Sequence, residues 1–237
     1  MATPENRVKE PAFKLSVLIP VLNERETLPQ ILDRVQSLPY KIEIIIVDDN
    51  SSDGTQYFLN NLNSENIKIY YHDRTMGKGA AIRTAQPHIT GDFVIIQDAD
   101  LEYQPEEYPN LLAPLLSGQA DVVFGSRFTG THRAFYFWNM AGNKILNIIS
   151  NLLYNTILTD MECGYKLFRS EFFKSITIRS NRFDLEPELT AKVFKKKLKV
   201  VEVPITYFGR SYDEGKKISW KDFFPAVRAL IKYRFVD

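Results

Sequence analysis

Along the first half of the chain, apolar and polar positions switch regularly between a strand-like and a helix-like period. Leu15 to Val21 reads as a strand. Ile42 to Val47 reads as a second, almost wholly β-branched, which points to burial on both faces. Ile67 to Tyr71, Phe93 to Gln97 and Asp121 to Gly125 read as three more. Helical patterns fill the gaps. One runs from Glu26 to Ser37, one is opened by Asp53-Gly54-Thr55 and runs towards Leu62, and one spans Gly77 to Ala85. A fourth begins at Pro105, a first-turn position, and ends near Gly118. This alternation predicts an α/β chain with a mostly parallel, Rossmann-like sheet flanked by helices.

After Arg127 the pattern changes. Phe135 to Ile157 mixes aromatics and aliphatics with Asn and Ser, as in a long amphipathic helix. Lys166 to Arg169 reads as a short strand, Glu186 to Lys195 as a helix, Val200 to Thr206 as a last strand, and Ser219 to Tyr233 as a C-terminal amphipathic helix. No repeat or long linker divides the chain. Residues 1–13 are polar and expected to be flexible, with 14–237 as a single domain.

Composition narrows the class. The chain has 237 residues, is 44% hydrophobic and 25% charged, and carries a formal charge of +1. That is ordinary for a soluble globular protein and supplies no global field for nucleic acid. The single Cys163 excludes an internal disulfide and a cysteine-rich zinc site. Met1 to Phe13 lacks the apolar core of a secretory signal, and the best spanning candidate, Ile145 to Leu158, is interrupted by Asn147, Ser150, Asn151 and Asn155. A cytoplasmic, soluble or peripheral protein is expected.

The chemistry gathers at strand ends. Asp98-Ala99-Asp100 follows the fourth strand, and two carboxylates so spaced offer hard oxygen ligands suited to Mg²⁺ or Mn²⁺. Asp48-Asp49 follows the second strand, where a carboxylate can accept from a base or ribose hydroxyls. The Asn50-Ser51-Ser52-Asp53-Gly54 stretch can equally cap a helix. Met76-Gly77-Lys78-Gly79-Ala80 combines glycines, which allow close approach to a phosphate, with a cation at a helix start. Its spacing is not that of a nucleoside-triphosphatase loop. Gly125-Ser126-Arg127 brings an arginine fork to the same rim. Arg182 to Glu188 puts carboxylates ahead of a helix, where at least one is expected to serve the helix dipole. Gly209-Arg210 through Gly215-Lys216-Lys217 is a cationic loop. No nucleophile elbow or zinc-peptidase motif is present.

Taken in order, these segments resemble the inverting family 2 glycosyltransferases with the GT-A fold, and most closely their dolichol-phosphate mannose synthase and polyprenyl-phosphate glycosyltransferase branch. The resemblance runs from Leu15 to Tyr233 and rests on Val17 to Glu24, Val47 to Thr55, Gly77 to Ala81, Asp98 to Asp100, Gly125 to Arg127 and Gly215 to Ser219. It implies a nucleotide-sugar pocket lined by Pro20, Asn23, Glu24, Asp49, Lys78 and Asp98. It implies Mg²⁺ or Mn²⁺ held by Asp98 and Asp100, with Glu102 standing where many relatives have Gln. It further implies Arg127 and Arg210 as catalytic cations on the acceptor phosphate, supported by Arg133, Lys216 and Lys217. Relatives often carry Arg and Ser beyond the position of Arg127, where this chain has Arg133, Asn139 and Asn143.

The implied reaction moves a hexose from GDP-mannose or UDP-glucose to a polyprenyl or dolichyl phosphate with inversion. The implied place is the cytoplasmic face of a membrane, on the lipid surface or a membrane subunit, with the Phe135 to Leu158 segment in the interface or packed on the core. Two alternatives remain open: a family 2 transferase with a soluble or polysaccharide acceptor, and a nucleotidyltransferase. The latter requires a Gly-rich loop straight after the first strand, where Pro20-Val21-Leu22-Asn23-Glu24 stands instead.

Overall fold

A computed structural model of the chain describes residues 13–134, 136–210 and 222–236. Seven strands form one sheet: β1 (Lys14–Val21), β2 (Lys41–Asp48), β3 (Ile67–Tyr71), β4 (Phe93–Ile96), β5 (Val122–Ser126), β6 (Lys166–Arg169) and β7 (Val200–Pro204). Their order is β3-β2-β1-β4-β6-β5-β7. All neighbours pair in parallel except at β6, which runs antiparallel to both β4 and β5.

The β-branched runs explain the centre of the sheet. Ile42, Ile44 and Ile46 of β2 face one layer, and Ile45 and Val47 face the other. Side chains alternate across a strand, so a strand covered on both faces must be apolar throughout. One layer is packed by α1 (Leu28–Gln36), α2 (Thr55–Asn60) and α4 (Tyr108–Leu116). The other is packed by α3 (Lys78–Ala85), α5 (Phe137–Tyr154), α6 (Ser170–Ser175), α7 (Leu185–Lys195) and α8 (Phe223–Phe235). α6 has no counterpart in the sequence reading, because six residues are too few for a helical period to show. The expected helix at Pro105 is a 3₁₀ turn, Pro105–Glu107, that leads into α4. α5 stops at Tyr154, where Asn155 adopts a left-handed φ of 51°.

Antiparallel β6 matters most for function. Leu167 pairs with Ile95 on one side and Val123 on the other, so β6 starts at the end of the sheet where β4 and β5 finish. The loop leading into β6 therefore joins the strand-end loops on one rim. Among the described residues, no helix is long and apolar enough to cross a membrane.

Candidate active site

The loop after β1 and the loop after β2 are zipped together. Asn23, at φ 54°, accepts from the Ser52 N–H at 2.7 Å, and its own N–H donates to Ser51 Oγ at 2.8 Å. Pro20 lies on β1 opposite Val47. Asp49 is buried and turned inward: it accepts from the Met76 and Gly77 N–H groups at 2.8 and 2.7 Å and contacts His72 Nδ1 at 2.6 Å. It thus fastens the Gly77 loop. The glycines of that loop have a packing role. A Cβ on Gly77 would lie 2.4 Å from the Asn181 carbonyl oxygen, and one on Gly79 would lie 2.4 Å from that of Ser180. They let the loop dock on the segment that enters α7.

That docking brings Glu186 of α7 to Lys78. The Lys78 Nζ lies 2.8 and 3.0 Å from the two Asp98 oxygens and 3.2 Å from Glu186 Oε1. Lys166, fully buried at the start of β6, holds Glu186 Oε2 at 2.5 Å and donates to the Met161 and Cys163 carbonyls at 3.0 and 2.6 Å. Burial opposes the Lys78 charge, but Asp98 and Glu186 overcome it and raise its pKa. Gly164 completes the cradle: a Cβ there would lie 2.7 Å from Asp98 Oδ2.

Arg210 spans the other carboxylates. Its Nη2 is 3.1 Å from Glu24 Oε1 and 3.3 Å from Asp100 Oδ2, and its Nη1 is 3.3 Å from Glu24 Oε2. Its backbone N–H donates to Glu102 Oε1 at 2.6 Å, while Tyr207 Oη donates to Glu102 Oε2 at 2.7 Å. Each Glu102 oxygen thus already accepts one hydrogen bond, from Arg210 and from Tyr207, beside the Asp pair. Burial, then the Glu102 and Asp98 charges, push the Asp100 carboxyl up to about 8. Crowded carboxylates of that kind are relieved by a cation. Among the described residues no three acid, His or Cys side chains converge into a ready metal cage. Two carboxylates, with water and substrate phosphate completing the shell, are what Mg²⁺ commonly uses, so Asp98 and Asp100 fit such an ion.

Arg127 is placed differently from the expectation. Its Nε and Nη2 each lie 2.7 Å from an Asp160 oxygen, and its backbone N–H donates to the same carboxylate at 2.9 Å. Arg127 is 7% exposed, and its fork is already used. Through Asp160 it braces the loop after β5. Arg133 is exposed, and its N–H donates to the Tyr207 carbonyl at 3.1 Å, which places it at the border of the site. Lys216 and Lys217 lie outside the described residues. Sequence reading missed Asp160, Lys166, Glu186 and Tyr207. For Glu186 the signal was present, in a run of carboxylates where dipole stabilisation explains only some. For Lys166, a cation opening an apolar strand was the clue.

The family model described as glycosyl transferase family 2 matches residues 16–177, more than half of the chain. The chain belongs to this family. It is a glycosyltransferase, and the nucleotidyltransferase alternative falls away. Its fold is similar to that of glucosyl-3-phosphoglycerate synthase from Mycobacterium tuberculosis, solved with Mn²⁺, uridine diphosphate and phosphoglyceric acid. The TM-score is 0.74 at 18% identity, over 95% of this chain and 80% of that one. Mannosyl-3-phosphoglycerate synthase from Rubrobacter xylanophilus matches with a TM-score of 0.70 at 19% identity, over 93% and 72%. S. aureus TarS, solved with UDP-GlcNAc, gives 0.64 at 19% identity, over 93% and 66%.

Proposed function

We propose that this family 2 glycosyltransferase transfers a hexose, with inversion, from GDP-mannose or UDP-glucose to a polyprenyl phosphate at a membrane surface. One observation carries the choice of acceptor. α5 exposes Phe137, Trp138, Ile145, Ile148 and Leu152, and α8, packed against it, exposes Phe224, Ile231 and Phe235. Neither helix contains an acidic residue, while Lys144, Arg228, Lys232 and Arg234 supply cations. An apolar face with a cationic fringe suits the interface of an anionic bilayer, where a lipid-linked phosphate is presented.

In this reading Pro20, Asn23 and Glu24 border the nucleotide, and Asp98 and Asp100 hold Mg²⁺ or Mn²⁺. That ion supplies neutralisation of the departing diphosphate. Lys78 and Arg210 add positive charge beside it. The acceptor phosphate is already an anion near neutral pH, so the chain has mainly to orient it and exclude water. Arg210, Arg133, Lys216 and Lys217 are assigned to that anion, while Arg127 shapes the loop beneath. Residues 14–237 act as one domain, and its place is the cytoplasmic face of the membrane.

A soluble phosphorylated acceptor is the second reading. It is favoured by the likeness in fold to a synthase solved with phosphoglyceric acid. Radiolabelled GDP-mannose and UDP-glucose, each offered with Mn²⁺ to polyprenyl phosphate in detergent and to 3-phosphoglycerate in buffer, separate the two. Label in the lipid phase is expected. Label only in phosphoglycerate overturns the lipid assignment and leaves the donor site intact.

A further inference from the structure

The two carboxylates suited to a metal ion are each already matched by a cation of the chain, Asp98 by Lys78 and Asp100 by Arg210. Each cation also has a second carboxylate within reach that is not in the Asp pair. For Lys78 it is Glu186, 3.2 Å away and itself anchored by Lys166. For Arg210 it is Glu24, held from behind by Thr27 Oγ1 at 2.7 Å and touched at 3.1 and 3.3 Å.

The Arg210 contacts are long for charge-assisted hydrogen bonds, which settle near 2.7–2.9 Å. Its Nε is buried without a hydrogen-bond partner, 3.9 Å from Glu102 Oε1. That is a serviceable but incomplete seat.

We propose that Lys78 and Arg210 are exchangeable counter-ions of the metal carboxylates. They close the site to a bare divalent cation and, when metal and diphosphate arrive together, leave the Asp pair for the diphosphate while keeping their contacts with Glu186 and Glu24. This rests on the donor-site reading above. A divalent cation alone must pull Asp98 and Asp100 away from two fixed positive charges and then sit beside them. A diphosphate alone meets five carboxylates: Glu24, Asp98, Asp100, Glu102 and Glu186. Together they bring the anion that the displaced Lys78 and Arg210 need. Metal and nucleotide binding are then mutually dependent, and linkage makes the dependence equal in both directions. Couplings of this type run from about 5-fold to 150-fold.

The test is direct Mn²⁺ binding to the full chain, read from the electron paramagnetic resonance of free Mn²⁺, with and without GDP or UDP. The wild type is expected to bind Mn²⁺ at least tenfold tighter when nucleotide is present. Arg210→Gln is expected to bind Mn²⁺ more tightly than wild type without nucleotide, and to lose most of the nucleotide-induced gain. A long-range charge effect would shift both affinities equally and leave the gain intact, so an unchanged gain in Arg210→Gln overturns the proposal. If that variant melts well below wild type, Arg210→Lys replaces it; it keeps the charge, cannot bridge two carboxylates at once, and should lose part of the gain. If wild-type protein binds no Mn²⁺ even with either nucleotide, the donor-site reading itself fails. Tight nucleotide-dependent Mn²⁺ binding with unaltered coupling in the variants leaves that reading standing and removes only the exchange.

Discussion

Two arginines that look alike in the sequence end up in opposite circumstances. Arg127 and Arg210 each follow a strand on the active rim, and each has a glycine within two residues, Gly125 and Gly209. Arg127 meets one carboxylate with two contacts of 2.7 Å and is raised well above its ordinary pKa, Asp160 outweighing the cost of burial. Arg210 meets three carboxylates with side-chain contacts of 3.1 to 3.9 Å and leaves one donor unused. The first is a finished bond inside the fold. The second is a charge held in place by several weak claims, which is what a ligand-handling group requires. Two guanidinium nitrogens committed at 2.7 Å to one buried carboxylate make Arg127 a brace of the fold.

Mutation separates the two arginines. Arg127→Ala strands the buried Asp160 and is expected to cost about 3–5 kcal/mol of stability, the usual penalty for removing one partner of a buried pair. Urea unfolding measures it. Unchanged stability with a raised acceptor KM would return Arg127 to the binding machinery. Arg210→Ala is expected to do the reverse. Losing a charge-assisted contact worth about 1.5–3 kcal/mol should lower kcat/KM roughly ten- to a hundred-fold, while the unfolding midpoint stays close to wild type.

Glu43, at the opposite end of the sheet, sharpens the contrast further. It accepts from Ser16 Oγ at 2.5 Å, Gly91 N–H at 3.1 Å and Lys14 Nζ at 2.9 Å, as well as from Thr90. Burial works against its charge, but the bonds from Ser16, Thr90 and Lys14 outweigh it and bring the carboxyl from 4.5 down to about 2. A lowered pKa stabilises the fold above pH 4.5, and that contribution drains away as pH falls towards 2. Glu43→Gln should cost about 1–3 kcal/mol at neutral pH and flatten the stability curve between pH 4.5 and 2. An acid limb as steep as the wild type's would show that other carboxylates govern it.

Much of the fold was readable because strand and helix periods are local properties. The β-branched run of β2 and the Asp98-Ala99-Asp100 strand end both stood where the pattern put them. The fate of side chains was less readable, because partners are remote. Asp160 lies 33 residues from Arg127, and Glu24 lies 186 residues from Arg210. Position on the rim announced both arginines, and nothing nearby in the chain distinguished the locked one from the available one. Gly77 and Gly79 were only half legible for a related reason. A glycine permits close approach, and its own neighbours do not say whether a phosphate or the carbonyls of Ser180 and Asn181 come close.

The reversed strand β6 has a consequence for how the protein comes into being. The first hundred residues supply β3, β2, β1 and β4, four adjacent parallel strands that can associate as soon as they are made. β5 follows in the chain yet finds no partner among them, because its neighbours are β6 and β7. The sheet is therefore closed by a strand some forty residues further along the chain, which lies between β4 and β5 and covers the edge of β4. Non-local pairings of this kind form more slowly, as a class, than local ones, and an unpaired edge is a liability until they form. The same insertion sets Gly164 against Asp98 and Lys166 against Glu186, so one strand both closes the sheet and completes the cradle around Asp98.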